Sequence, residues 1–284
     1  MLKQSALIKP AGDELAKVES PKPFLKWVGG KRSIIEELKK RLPSDYNNYY
    51  EPFTGGGALF FELQPKKAFL SDVNPELVNT YKVIQKDVEE LIELLSKHQK
   101  KHSEEYYYKI RAKHNLKDPI EIAARMIYLN KTCYNGLYRV NKKGEFNTPI
   151  GRYVRPGICQ PENLRACNKA LKKTSIEHKD YTKITPQAGD FCYLDPPYHP
   201  MTETSFTAYS KFNFSEADQA NLAQFCTDLH KKGVKLMLSN SNTEYIRSLY
   251  KSKIFNIAII HAPRFVNSKA NGRSAVEEVL ITNY

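Results

Sequence analysis

The segment from Tyr49 to Asp72 constrains the fold more than any other stretch. Tyr49-Tyr50-Glu51-Pro52-Phe53-Thr54-Gly55-Gly56-Gly57-Ala58-Leu59-Phe60-Phe61 reads as a short strand, a glycine-rich turn and a helix, and Lys67-Ala68-Phe69-Leu70-Ser71-Asp72 reads as a second strand ending on an acid. Strand, helix and strand in that order predict a parallel pair joined by a crossover, the unit of an α/β sheet. Glycines in the turn let the backbone approach a ligand closely. An acid roughly 15 to 20 residues further on, at the tip of the neighbouring strand, is placed to accept hydrogen bonds from ribose hydroxyls. The turn does not match G-x-G-x-x-G and lacks G-K-[ST], which excludes a phosphate loop. The alternative use of Asp72 is to cap the helix that starts near Pro75.

A second acid stands at the end of another strand. Phe191-Cys192-Tyr193-Leu194 is an apolar run bounded by turn residues, and it delivers Asp195-Pro196-Pro197-Tyr198 at the edge where open α/β sheets place ligands. The prolines remove backbone donors and stiffen the turn, so the carbonyls of Asp195 and Pro196 are free to point into a site. Tyr198 adds a flat ring. A carboxylate, rigid acceptors and an aromatic face suit a planar base with an exocyclic amino group, whose two N–H donors need acceptors. In isolation, the same four residues would serve as a tight loop.

Charge narrows the partner. A formal net charge of +13 over 284 residues favours a polyanion, nucleic acid first. The five cysteines form no C-x-x-C pair and are odd in number, so neither a zinc site nor a disulfide framework is indicated, and a reducing, cytoplasmic setting fits. There is no apolar run of about 18 residues and no signal-peptide pattern, so no membrane span is expected. Met1–Pro23, punctuated by Pro10, Gly12, Pro21 and Pro23, reads as an extension.

Between and around the two acids the chain is punctuated regularly. Phe24-Leu25-Lys26-Trp27-Val28-Gly29-Gly30-Lys31-Arg32 precedes a helical spacing over Ser33–Leu38; a Gly-Gly turn beside Lys31 and the only tryptophan suits an anion or a stacked ring, or else a capped helix with Trp27 in the core. Glu76–His98, Ser103–His114, Pro119–Asn130 and Pro161–Lys173 read as helices. His98 and His102 stand four apart, and a lysine-rich solvated face explains them better than a metal. Leu137–Asn141 and Glu145–Thr148 flank a Lys-Lys-Gly turn and predict a hairpin, whose Tyr134, Asn135, Arg139 and Asn141 are side chains of the kind that read base edges or stack on bases. A strand is expected over Ser175–Asp180. His199–Phe214 reads as a loop over the site, and Ser215-Glu216-Ala217-Asp218 as a capping box opening a helix to Lys232. Val234–Ser239 is a strand followed by a helix to Tyr250. Ile254–Ile260 and Val276–Thr282, joined by a basic segment with Arg264, Lys269 and Arg273, predict an antiparallel pair on an otherwise parallel sheet.

Five stretches, in order, resemble one family. F-L-K-W-V-G-G-K (24–31), E-P-F-T-G-G-G-A-L-F-F (51–61), S-D-V-N (71–74), Y-N-G-L-Y-R-V-N-K-K-G-E-F-N-T-P-I-G-R-Y (134–153) and D-P-P-Y (195–198) together are similar to the Dam-type DNA adenine-N6 methyltransferases, including GATC-specific modification enzymes of bacterial restriction systems. The similarity spans about Pro23 to Tyr284. It implies a Rossmann-like, S-adenosylmethionine-dependent sheet formed by 23–74 and 176–284, a target-recognition domain over 75–175 and an extension over 1–22.

Residue roles follow from that resemblance. Trp27, Lys31, Gly55, Gly57, Asp72 and Asp195 would line the cofactor site, with Gly55 and Gly57 admitting the methionine end and Asp72 holding the ribose. Asp195, Pro196 and Tyr198 would be catalytic. Lys26 would contact the outer guanine, Tyr134 and Asn135 would sit at the disturbed base step, and Leu137, Arg139 and Pro149 would read the target, with Asn141 beside them. Tyr138 and Thr148 occupy positions that vary within the family. Double-stranded DNA is the implied partner, with no metal; pairing with a restriction endonuclease and independent action both stay open. Within enzymes the alternatives are cytosine-N4 or RNA methylation, and outside them a non-catalytic DNA-binding module. The absence of a Pro-Cys nucleophile agrees with amine rather than cytosine-C5 chemistry.

Overall fold

The computed structural model describes residues 20–201, 214–262 and 276–284. The loop expected over His199–Phe214 lies mostly outside these residues, as do most of the N-terminal extension and Arg264, Lys269 and Arg273.

Seven strands form one sheet: β1 (Tyr49–Glu51), β2 (Ala68–Asp72), β3 (Thr174–His178), β4 (Phe191–Leu194), β5 (Lys235–Ser241), β6 (Asn256–Ala262) and β7 (Val276–Thr282). Their order is β3-β2-β1-β4-β5-β7-β6. The pairs among β1 to β5 are parallel, and β7 runs antiparallel to both β5 and β6. The expected C-terminal pair is therefore present, with β7 inserted between β5 and β6. Successive strands step outward from β1 to β3 and then resume on the other side at β4. The switch point, where such sheets open a crevice, lies between the C-terminal ends of β1 and β4.

Alternation explains the apolar runs. Phe191 and Tyr193 of β4, Met237 of β5 and Leu280 of β7 enter the core on one face. Cys192 and Leu194, Leu236 and Leu238, and Val279 and Ile281 enter the core on the other. The first core continues through α2 (Ala58–Leu63) and α3 (Pro75–Lys86) into α4 (Val88–Lys101), α5 (Glu104–Arg111), α6 (Pro119–Thr132) and α7 (Pro161–Leu171), so segment 75–175 shares its apolar interior with the sheet. The second is covered by α8 (Glu216–Lys231) and α9 (Glu244–Leu249). A short α1 (Ile35–Lys39) follows a 3-10 turn over Lys31–Ile34.

Several local expectations are refined. Glu76–His98 is two helices broken at Asp87, whose φ of −127° and ψ of 42° leave the helical region. Asn74, not Asp72, caps α3, accepting from the backbone N–H groups of Glu76 and Leu77. The capping box is formed on both sides: Ser215 N–H donates to Asp218 Oδ2 at 2.8 Å and Asp218 N–H to Ser215 Oγ at 3.2 Å. His98 is buried rather than solvated; its Nδ1 pairs with Tyr106 Oη at 2.8 Å, and His102 Nδ1 with Tyr128 Oη at 2.9 Å. Burial pushes the His98 imidazole down to about 4, so it sits neutral among aromatic rings. All five cysteines are free thiols, and no helix among the described residues is long and apolar enough to cross a membrane.

Candidate active site

Four acidic side chains gather at the C-terminal edge of the sheet, each placed by a strand. Glu51 ends β1, Asp72 ends β2, Asp195 follows β4 and Glu278 lies on β7. The 3-10 turn over Lys31–Ile34 begins at this edge. There Lys31 Nζ makes an ion pair of 2.7 Å with Asp195 Oδ1 and also donates to the Gly29 carbonyl. The Lys31 side chain is only 7% exposed, so the pair is largely desolvated and each partner depends on the other.

The carboxylate of Asp195 is held from one side. Its Oδ1 accepts from Lys31 and, at 2.9 Å, from Ser239 Oγ, while Oδ2 has no hydrogen bond among the described residues. Burial pushes this carboxyl above the ordinary aspartate range, and Lys31 and Ser239 pull it back. The turn that follows is fixed by buried amides. Gln219 Nε2 donates to the Pro197 carbonyl at 2.9 Å, Asn240 Oδ1 accepts the His199 N–H at 3.1 Å, and Ser241 Oγ donates to the His199 carbonyl at 2.7 Å. A further bond from Asn240 Nδ2 to Gln219 Oε1 ties the two amides together. The Pro196 carbonyl accepts nothing among the described residues. Two acceptors on adjacent residues, Asp195 Oδ2 and Pro196 O, thus have no hydrogen bond among the described residues.

Tyr198 is anchored at its far end. Its hydroxyl donates to Glu278 Oε2 at 2.9 Å, and Lys31 Nζ lies 4.7 Å from the ring centroid. Burial raises the Glu278 carboxyl. Glu51, 2% exposed, is pushed up to about 8 by burial and accepts from Tyr49 Oη at 2.8 Å, so it is protonated at neutral pH.

The glycine turn closes the other wall. Gly55 has φ +47°, and a Cβ there would come within 2.7 Å of Trp27 Cδ1, so the indole lies directly on the backbone. At Gly57, φ +64°, a Cβ would come within 2.6 Å of Tyr81 Oη, the hydroxyl that holds the Gly55 carbonyl at 3.1 Å. Asp72 joins the same wall: its Oδ2 accepts the Gly55 N–H at 3.0 Å and its Oδ1 the Asn74 N–H at 2.9 Å. Burial raises its carboxyl against these two bonds. Trp27, Gly55 and Asp72 are therefore in contact, Gly57 joins them through Tyr81, and Lys31 with Asp195 forms a separate pair. Acidic groups at the edge, an indole face and a close backbone approach fit a nucleoside that carries hydroxyls and positive charge.

Residues 134–153 form a second cluster. Tyr134–Gly136 is a 3-10 turn with Asn135 in the left-handed region at φ +53°. The expected two-stranded hairpin is a single antiparallel bridge, Val140 to Phe146, with Asn147 N–H donating to the Arg139 carbonyl at 3.0 Å. Regular pairing stops where Thr148 Oγ takes the Leu137 carbonyl at 2.7 Å. Arg139 is braced by Asn147, its Nε donating to Oδ1 at 2.7 Å and its Nη2 to the carbonyl at 3.3 Å. Asn141 is spent on the turn itself, accepting from the N–H groups of Lys143 and Glu145 and donating to Glu145 Oε2. Pro149 is exposed and its carbonyl accepts the Tyr134 N–H at 2.9 Å. A cleft of about 500 Å³ opens here, lined by Tyr134, Asn135, Ile150, Gly151, Arg152 and Tyr153. Lys26 Nζ lies 3.8 Å from the Tyr153 ring centroid. Ser239, Gln219, Asn240, Glu278, Arg152 and Tyr153 are among the residues of these two sites that the sequence alone does not single out. Among the described residues, no group of three or more His, Cys, Asp or Glu could hold a metal ion.

Comparison with known proteins gives the family. Residues 27–264 match the family described as D12 class N6 adenine-specific DNA methyltransferase. The chain is 43% identical over 273 residues to a type II methyltransferase of Lactococcus lactis subsp. cremoris, covering 93% of this chain and 95% of that protein. It is 44% identical over 288 residues to a type II methyltransferase of Methanocaldococcus jannaschii, covering 93% and 99%. A DNA adenine methylase of Serratia marcescens is 34% identical over 263 residues, covering 90% and 96%.

Proposed function

The chain belongs to the D12 class of N6 adenine-specific DNA methyltransferases, S-adenosylmethionine-dependent enzymes, and from that premise we propose that it methylates an adenine flipped out of duplex DNA within GATC. Its setting would be a restriction system, where the mark protects host DNA; two relatives named type II methyltransferases support that reading. Segment 75–175 would carry target recognition, and 23–74 with 176–284 the chemistry.

The observation that carries the proposal is the pair of open acceptors. Adenine N6 is a poor nucleophile because its lone pair is delocalised into the ring. With Oδ1 occupied by Lys31 and Ser239, Asp195 Oδ2 and the Pro196 carbonyl would each accept one N6 hydrogen. Holding both hydrogens favours a more tetrahedral nitrogen and directs its lone pair toward the methyl donor. S-adenosylmethionine supplies an electrophilic methyl group on a sulfonium. Trp27, Gly55, Gly57 and Asp72 would hold its nucleoside and amino-acid ends, and Lys31 would keep the Asp195 carboxylate ionised beside it. Because N6 lies inside the duplex, the base must leave the stack, and the Tyr198 ring, tethered by Glu278, would receive it.

Sequence choice would come from the recognition segment. Arg139, braced by Asn147, keeps Nη1 and part of Nη2 for a guanine edge. Leu137 and Pro149 would meet thymine methyl groups, Lys26 the outer guanine, and Tyr134 with Asn135 the disturbed step. Asn141 would contribute by shaping the turn.

Nucleoside mass spectrometry of duplex DNA after incubation with enzyme and S-adenosylmethionine, with sequencing of the modified positions, tests this. N6-methyl-2′-deoxyadenosine confined to GATC, together with resistance to an endonuclease that cuts unmethylated GATC, is the expected result. N4-methylcytosine, or methyladenine in another context, would overturn the corresponding part.

A further inference from the structure

The cofactor wall and the recognition segment share a seam that neither role explains. The Trp27 ring that touches Gly55 is also stacked with Tyr138, with centroids 5.7 Å apart and planes at 27°. Tyr138 sits between Leu137 and Arg139, and its hydroxyl donates to Glu76 Oε2 at 3.2 Å. Glu76 is in the first turn of α3, four residues after Asp72, and its Oε1 lies 3.7 Å from Arg125 Nη1. Asn130, buried at the end of α6, makes a second bridge. Its Oδ1 accepts the Lys26 N–H at 2.7 Å, while Nδ2 donates to the carbonyls of Lys26 and Gly136, both at 2.9 Å. A Cβ at Gly136 would come within 2.5 Å of Lys26 Cβ. The backbone next to Trp27 and the backbone before Arg139 are thus locked together, and Tyr138 is the side chain that spans them.

We propose that Tyr138 is a positioning residue through which cofactor binding and target reading are coupled. The inference rests on the reading above, in which Trp27 lines the cofactor pocket and Arg139 reads DNA. A ligand packed against the half-buried Trp27 restrains the indole; the indole fixes Tyr138; and Tyr138, tethered to Glu76, fixes the backbone that carries Leu137 and Arg139. Linkage requires that the factor by which the cofactor tightens DNA equals the factor by which DNA tightens the cofactor.

Calorimetric titration with S-adenosylhomocysteine, in the presence and absence of a saturating GATC duplex, measures that factor. For the wild-type chain it is expected at about five- to tenfold, within the usual range of coupling between sites. In Tyr138→Ala, and in Tyr138→Leu, which keeps apolar bulk without a stacking face, it is expected below about twofold whatever happens to either affinity alone. A wild-type factor of one, or either variant coupling as strongly as wild type, overturns the proposal. Trp27→Ala separates the two layers. If it binds S-adenosylhomocysteine as tightly as wild type without DNA, the pocket reading fails and the coupling with it. If it binds weakly while the Tyr138 variants couple normally, only the coupling fails.

Discussion

Replacing Gly55 by alanine strikes the point where the glycine turn and the indole meet. At φ +47° a side chain costs about 1–2 kcal/mol in backbone strain alone. The new Cβ would stand 2.7 Å from Trp27 Cδ1 and 2.8 Å from Nε1, so the ring must retreat by about 0.7 Å to reach ordinary contact, which disturbs its stacking with Tyr138. Overpacking of this kind adds about 1–3 kcal/mol, which puts the loss of unfolding free energy at about 2–5 kcal/mol. Displacing the ring should also weaken S-adenosylhomocysteine by at least about tenfold, equivalent to 1.4 kcal/mol. Trp27 is the only tryptophan in the chain, so its fluorescence reports both experiments directly, one as a denaturant curve and one as a ligand titration. Gly56→Ala is the control: its Cβ would meet Trp27 Cβ at 3.2 Å without the positive φ, and a cost of about 1 kcal/mol or less is expected. A Gly55→Ala protein as stable as wild type, with unchanged ligand affinity, would refute the description of this wall.

Three further outcomes follow from the geometry. Asp195→Asn keeps the shape but loses the Lys31 ion pair and replaces an acceptor by a donor, so turnover should fall by at least about a hundredfold in single-turnover assays while duplex binding by gel shift persists; near-normal turnover would remove Asp195 from its role. Arg139→Ala should relax the choice of target by about 1–3 kcal/mol in competition methylation assays between GATC and singly substituted sites, and unchanged discrimination would count against the segment as reader. Glu51 is a raised carboxyl, so the native chain keeps its proton where the unfolded chain has lost it, and wild-type stability drains away as pH climbs from 4.5 towards about 8. Relative to Glu51→Gln, wild type should lose about 2–3 kcal/mol in denaturant melts between pH 5.5 and pH 7.5, and a gap that stays constant contradicts the burial argument.

The parts legible in the sequence were those with a local cause. Period-two burial on both faces makes Phe191–Leu194 a continuous apolar run, and the strained backbone at Gly55 and Gly57 demands glycine whatever surrounds it. The acids at 72 and 195 were legible because each ends such a run. What stayed hidden was set by distant juxtaposition. Glu278 meets Tyr198 across 80 positions and Ser239 meets Asp195 across 44, and nothing in either strand distinguishes them from ordinary polar residues. The segment around 141–144 shows the opposite limit. Its turn signals were read correctly, yet side-chain bonds from Thr148 and Asn141 replace most of the ladder that strands would have formed. His98 was misplaced in the same way, since a lysine-rich neighbourhood gave no hint of the tyrosines that bury it.

A crystal structure of the enzyme with S-adenosylhomocysteine and a GATC duplex tests the account at its centre, by locating one amino group. The target adenine should lie outside the helix, its N6 within about 2.7–3.2 Å of both Asp195 Oδ2 and the Pro196 carbonyl. An adenine still stacked in the duplex, or extruded with its amine bonded elsewhere, would contradict it.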